Sequence, residues 1–351
     1  MKFSTRLIKW YKNQNILMPW RGEKDLYKIW LSEVMLQQTQ VKTVIPYYKN
    51  WINKFPNIKS AALASEKEIL KAWEGLGYYS RARNFQHACK NIVSDYNGEI
   101  PLNEIEFLKL KGVGEYILSA VFSIGLGKKL PVIDGNVKRV ISRYLGLTNE
   151  INSELKNIKS FLDIKIKDVK IPGDFNQAMM DLGRIVCKPK NPNCDICPIN
   201  INCVAFKQGL TQLIPIKLKK KQIPHYKMII GIIQNNDKFL ICKRNSDGLL
   251  GGMWELPGGK IKKQESNSTA LNRVFSDFGI SLKSNSYIGT ANHIYSHFSI
   301  EQHGYQCDYI KGNLISKNHT EYKWISKGEE VLFPIHKASH KLLAKLKVNY
   351  T

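Results

Sequence analysis

Residues 187–203 read CKPKNPNCDICPININC, which sets Cys187, Cys194, Cys197 and Cys203 at C-x6-C-x2-C-x5-C spacing. Four thiolates this close in sequence can surround one metal centre without a ligand from elsewhere in the chain. The single C-x2-C has neither the paired knuckles nor the histidines of common zinc modules. Four thiolates also suit a [4Fe-4S] cluster. The spacing therefore predicts an iron–sulfur loop, with a zinc staple or chance clustering as the alternatives. Lys188, Lys190 and Lys207 would give the closed loop a cationic outer face.

The charge balance around this loop is one-sided. The 351 residues hold 53 Lys+Arg against 29 Asp+Glu, a formal net charge of +24. Such an excess predicts a polyanionic partner, nucleic acid first and a membrane surface second. The N-terminus, MKFSTRLIKWYKNQN, is basic but lacks the apolar run of a signal peptide. No stretch approaches the roughly 18 apolar residues of a membrane-spanning helix. Besides the four clustered cysteines there are Cys89, Cys242 and Cys307, an odd total that does not read as a disulfide framework. A reducing compartment, the cytoplasm, follows.

The length predicts two domains or three. Residues 1–212 read as helical, with three- and four-residue apolar spacing through Leu26–Gln38, Leu63–Trp73, Ala82–Val93, Glu104–Leu110, Tyr116–Ile124 and Phe175–Val186. Residues 213–225, with prolines and a lysine run, read as a solvated basic linker. Residues 226–351 read as mixed α/β. There, Lys227–Gln234 and Lys238–Lys243 flank the hairpin signal Asn235-Asn236-Asp237, Thr269–Phe278 has helical spacing, and Gly304–Ile310 and Tyr322–Ile325 suit strands.

Between two of the helical stretches lies Leu110-Lys111-Gly112-Val113-Gly114-Glu115-Tyr116. Gly112 and Gly114 permit a tight turn, and the free N–H groups of the helix that follows form an anion site suited to a DNA phosphate. A plain helical corner is the alternative.

These segments resemble the helix-hairpin-helix DNA glycosylases. Trp30-Leu-Ser-Glu33-Val-Met-Leu-Gln-Gln38-Thr-Gln40 and Gly75-Leu-Gly-Tyr78-Tyr79-Ser-Arg81-Ala-Arg83-Asn84 narrow the resemblance to the adenine DNA glycosylase (MutY) family. It is close over residues 1–210 and looser beyond. It implies a multidomain protein: a mainly α catalytic domain with an iron–sulfur loop, then an α/β Nudix-like domain. It also implies excision of adenine mispaired with 8-oxoguanine or guanine in duplex DNA. The related endonuclease III carries a lysine at position 116 that forms a Schiff base with the sugar. Here the residue is Tyr116, and a phenol forms no imine, so a monofunctional glycosylase is expected.

Breaking an N-glycosidic bond calls for one protonated and one ionised carboxyl group. Glu33, among Trp30, Val34 and Met35, suits the acid, and the resemblance gives it the proton for adenine N7. By resemblance Asp134 stabilises or covalently traps the C1′ cation, and backbone N–H groups with Asn136 would keep it ionised. Asp134-Gly135-Asn136 also suits a helix N-cap. Gln177 and Asp181 share a helix face, and with Arg21 the resemblance places them at the adenine pocket. Gln38 and Tyr79 match positions that wedge into the duplex, Tyr78 being the expected core member, with Arg81 and Arg83 turned toward phosphates.

In the second domain, Gly258-Gly-Lys-Ile-Lys-Lys-Gln-Glu265 resembles the start of a Nudix box, but Arg273-Val-Phe-Ser-Asp277-Phe lacks the metal-binding glutamates that follow in a working box. A reader of lesions is expected instead of a pyrophosphohydrolase. His293-Ile-Tyr295-Ser296-His297 resembles the Phe-Ser-His loop that contacts 8-oxoguanine, with tyrosine in place of phenylalanine. A bifunctional lyase and a non-catalytic lesion-binding protein are the competing readings. The expected protein is a monomer at the nucleoid.

Overall fold

The computed structural model describes residues 2–218 and 222–348. The lysine run at 219–221 of the expected linker lies outside them. Contacts divide the chain into two units, Met1–Leu63 with Asn84–Lys220 and Ala64–Arg83 with Lys221–Thr351. Residues 64–83, helical by sequence pattern, thus make their contacts within the second unit.

The first unit is built from helices α1 (Phe3–Asn13), α2 (Leu26–Leu36), α3 (Val41–Lys54) and α4 (Ile58–Leu63). Helix α5 (Glu66–Ala72) belongs to the second unit, and α6 (Ser80–Asp95) carries the chain back. Then come α7 (Glu104–Lys109), α8 (Glu115–Leu126), α9 (Gly135–Leu145), α10 (Leu155–Lys167), α11 (Pro172–Ile185) and α12 (Val204–Lys207). Local chemistry sets several ends. Asp25 caps α2 by accepting Tyr27 N–H at 2.9 Å, and α8 and α9 stop on the left-handed Gly127 and Gly146. Proline opens α11, where its missing N–H costs nothing.

An aromatic column of Phe85, Trp30, Phe107 and Phe122 fills one core of the unit. A second core joins Leu7, Val140, Ile158, Phe175 and Leu182. Helix α11 approaches its neighbours closely because Gly173 and Gly183 carry no side chain: a Cβ on Gly173 would stand 2.8 Å from Ile124 Cα, and one on Gly183 2.6 Å from Asn136 Cβ. That proximity brings the polar face of α11 to the start of α9.

The second unit holds β1 (His225–Asn235), β2 (Lys238–Arg244), β3 (Trp254–Glu255), β4 (Gly258–Lys260), α13 (Asn267–Asp277), β5 (Ile280–Ile294), β6 (Ser299–Gly312), β7 (His319–Ser326) and α14 (Lys337–Val348). Its sheet runs β3-β2-β1-β6-β5, with β4 also on β1 and β7 on β2. Strands β1 and β6 are parallel, and the other pairs are antiparallel. The central β1 is apolar on both faces: Ile229 and Ile233 pack with Val274 and Phe275 of α13, Ile230 and Ile232 with Leu342 of α14. The expected hairpin joins β1 to β2 through Asn236, at φ 54°, and Asp237.

Candidate active site

Glu33 lies in α2 and is only 4% exposed. Burial raises its pKa above the ordinary carboxylate value, against the lowering effects of Tyr116 and Arg21. Tyr116, in the first turn of α8 behind the glycine hairpin, donates its hydroxyl to Glu33 Oε2 at 2.6 Å. Burial, then the nearby Glu33, lift the phenol well above its ordinary range, so it keeps its proton and acts as the donor. With Oε2 already accepting, a proton on Glu33 belongs on Oε1.

Asp134 caps α9. Its Oδ1 accepts Val137 N–H at 2.7 Å, and its Oδ2 accepts Asn136 Nδ2 at 3.0 Å. Burial raises the Asp134 pKa above its ordinary value, while the hydrogen bonds from Val137 and Asn136 work to lower it and favour the ionised form. Asn136 is itself aimed by Arg139, whose Nη2 donates to Asn136 Oδ1 at 2.9 Å and to Gly183 O at 2.8 Å while its Nε donates to Cys187 O at 2.8 Å. Arg139 thus ties the cysteine loop to the cap of α9. A basic residue in a basic chain gave no signal for this role.

Beside Glu33 stands a second polar cluster. Arg21 forms an ion pair with Asp181 at 2.6 Å, donates to Gln177 Oε1, and reaches Tyr11 Oη at 3.4 Å. Asp181 also holds Arg184 at 2.9 Å. The three residues expected at the adenine pocket therefore come together, with Tyr11 and Arg184 as unforeseen members. Arg21 Nε is buried with no hydrogen-bond partner among the described residues.

The four cysteines line one cavity of about 20 Å³ together with Arg143. Arg143, 2% exposed, donates to Cys187 Sγ at 3.3 Å, to Lys188 O at 2.7 Å and to Pro189 O at 3.0 Å. Burial raises the Cys197 thiol to about 12, reinforced by the neighbouring sulfurs. Lys188, Lys190 and Lys207 are exposed, as expected. Among the described residues no three Cys, His, Asp or Glu side chains are drawn in tightly enough to hold a metal ion. The donor set itself, four soft sulfurs lining one cavity, is the chemistry that zinc and iron–sulfur centres both use.

In the hairpin, Gly112 has φ 85° and packs so closely that a Cβ would stand 2.9 Å from Asn84 Cβ. Gly114 is the uncapped N-cap of α8, and Lys111, Gly112 and Gly114 are exposed while Val113 is half-buried. Gln38, just past α2, is exposed at φ 57°.

In the second unit the two tyrosines exchange their expected places. Tyr79 is 6% exposed, its Oη accepting Gly75 N–H at 2.9 Å, whereas Tyr78 is 41% exposed. The left-handed Gly75, Gly77 and Tyr78 fold this stretch into a turn that carries Tyr79 inward. Arg81 is also corrected. It is buried, donates to Gly77 O at 3.0 Å, lies over Trp73, and has its pKa lowered to about 10 by burial. Arg83 Nη1 donates to Ser246 O at 2.8 Å and to Gly251 O at 2.6 Å.

A cavity of about 390 Å³ in this unit is lined by Tyr78, Leu249, His293, Tyr295, Ser296, His297 and His336, among others. Tyr295, Ser296 and His297 form the β5–β6 turn, closed by Tyr295 N–H to Phe298 O at 2.8 Å. Tyr295 packs edge-on against His293. Burial lowers His293 to about 4 and raises Tyr295 to about 12. Behind the cavity Glu255 receives Arg244 at 2.8 Å, His319 at 2.8 Å and His336 at 2.9 Å. His336 Nδ1 accepts Ser339 N–H, so its proton sits on Nε2 and points at Glu255. The Nudix-box acid Glu265 is clasped by Arg273 at 2.7 and 2.8 Å.

Residues 31–161 match the model of the HhH-GPD superfamily of base excision DNA repair proteins. Residues 229–345 match that of the NUDIX domain. An adenine DNA glycosylase of Buchnera aphidicola (Schizaphis graminum) is 35% identical over 85% of this chain and 85% of its own. The chain belongs to the adenine DNA glycosylase family. The human adenine DNA glycosylase is 42% identical over 58% of this chain and 39% of its own. Among solved structures, a thermostable thymine-DNA glycosylase superposes on 59% of this chain and 95% of its own, with TM-score 0.54 and 27% identity. The protein is therefore an enzyme, a DNA glycosylase hydrolase of base excision repair with an N-terminal helical HhH-GPD fold and a C-terminal Nudix domain. No helix of the described residues is long and apolar enough to cross a membrane.

Proposed function

We propose that this glycosylase removes adenine paired with 8-oxoguanine or guanine in duplex DNA, without cleaving the strand. The observation that carries the chemistry is the pairing of buried Glu33 with Tyr116 in a unit that also caps α9 with Asp134. Glu33 gives its Oε1 proton to N7 of the flipped adenine while Tyr116 holds Oε2 in place. Loss of neutral adenine leaves positive charge at C1′, which the carboxylate of Asp134 stabilises. Arg21, Gln177 and Asp181 bound the base, and the unpartnered Arg21 Nε–H supplies a donor for a ring nitrogen. Water then adds to C1′, and its surplus proton returns to the Glu33 carboxylate.

No amine stands at position 116, which supports a monofunctional enzyme. Gln38 and Tyr78 are the exposed groups suited to fill the vacated stack, Tyr78 in place of the Tyr79 expected from sequence. Backbone N–H groups of Gly112 and Gly114 hold a phosphate, the Val113 N–H between them being given to Leu110 O at 3.0 Å. Tyr295, Ser296 and His297 read 8-oxoguanine at the mouth of the second unit's cavity. The four cysteines hold a [4Fe-4S] cluster that braces the loop joined by Arg139 to Asn136; a visible absorbance with four irons per chain tests it, about one zinc overturning it. The enzyme acts as a monomer at the nucleoid of the cytoplasm.

Single-turnover incubation with a duplex holding adenine opposite 8-oxoguanine tests the reaction. Strand breaks are expected only after alkali, and not with Glu33→Gln. Breaks without alkali would mean an amine is acting, and binding without product would leave a lesion-binding protein.

A further inference from the structure

The turn that presents Tyr78 is cross-linked by its own hydrogen bonds. Trp73 Nε1 donates to Gly77 O at 3.0 Å, as does Arg81, and Gly75 N–H is held by Tyr79 Oη. Glu74, immediately before it, is where the turn fastens to the sheet-bearing part of the same unit. Its Oε1 accepts Ile335 N–H at 2.9 Å and His340 Nε2 at 3.0 Å, and its Oε2 accepts Lys71 Nζ at 2.5 Å. The same ammonium donates to Phe333 O at 3.0 Å. Burial works to raise the pKa of Glu74, and the hydrogen bonds from His340 and Lys71 bring it below its ordinary value. At the tip, Tyr78 Oη lies 2.6 Å from Ser296 Oγ in the β5–β6 turn.

We propose that Glu74 is a positioning residue for lesion discrimination, fixing the Tyr78 turn to the frame that carries Tyr295, Ser296 and His297. This rests on the proposed reading of 8-oxoguanine by that loop. Held on one frame, the ring that enters the stack and the groups that read the purine are ordered together. Held separately, each must be ordered at its own entropic cost when DNA binds. Only the 8-oxoguanine complex uses both sets of contacts, so loosening the latch weakens discrimination before it weakens excision.

The test compares single-turnover excision of adenine opposite 8-oxoguanine and opposite guanine, for the wild type, Glu74→Gln and His340→Ala. In the variants the ratio of the two rates should fall about tenfold, as expected for losing a charge-assisted hydrogen bond, with the guanine-paired rate changing less than about twofold. Full retention of the ratio in both variants would overturn the proposal. Equal loss of both rates would do the same, leaving Glu74 as a prop of the fold. A wild type with no preference would instead overturn lesion reading, and the latch with it. Thermal melts identify a variant that fails to fold, and the other variant then decides.

Discussion

At Glu33 burial and hydrogen bonding pull in opposite directions. Burial raises the pKa and is the larger effect, while the Tyr116 hydroxyl lowers it by favouring the charged form. An acid catalyst works in its protonated form, so excision should decline as pH rises through the raised folded pKa. Tyr116→Phe removes the lowering contact. The declining limb of the pH–rate profile should therefore move to higher pH in that variant, and a limb that stays or moves down would refute the assignment. Glu33→Gln should cut the rate by about 10²–10⁴-fold with duplex binding retained.

Asp134 shows how one side chain serves both an element and the chemistry. As the N-cap of α9 its carboxylate accepts Val137 N–H, a bond that asparagine can also accept. Asp134→Asn should leave the melting temperature within about 2 °C of wild type while abolishing most excision, since it removes the charge and keeps the cap. Asp134→Ala should lose excision and also about 1 kcal/mol of stability. Equal melting of the two variants would mean the cap contributes nothing. In the second unit, Glu255 joins β3 to β2, β7 and the segment before α14 through Arg244, His319 and His336. Burial raises its pKa, and the three cationic or donor partners overturn that and lower it. A lowered folded pKa means its stabilisation is present above the ordinary carboxylate value of 4.5 and is lost as pH falls through the folded value. Glu255→Gln should cost about 3 kcal/mol at neutral pH, and less in acid, as measured by denaturant unfolding at several pH values.

For the molecule as a whole, a net charge of +24 predicts affinity for DNA whose logarithm falls linearly with log salt. If the hairpin holds a phosphate, Lys111→Ala should weaken binding to every sequence alike and reduce the magnitude of the salt slope by about 1. A sequence-dependent loss would place Lys111 elsewhere in the interface.

Much of this protein was legible before folding because some properties are local. Apolar spacing marked α2, α8 and α11, and the cysteine spacing, the hairpin glycines and the Asp-Gly-Asn cap each sit within a few residues of one another. Helix α3 was not singled out, since Pro46 interrupts its reading, and β5, largely exposed, was missed because only its antiparallel pairing with β6 reveals it as a strand. The sequence by itself determined the chemical inventory: which acids, thiols and cations exist, and that position 116 carries no amine. Only the tertiary structure decided which of two adjacent tyrosines is exposed, that Arg81 is spent on carbonyls, and that Arg139 joins the cysteine loop to Asn136. It also decided that residues 64–83 make their contacts with the second unit. The reason is physical. Burial, and the pKa shifts and hydrogen bonds that follow from it, depend on neighbours brought from distant parts of the chain, and spacing along the sequence does not contain them.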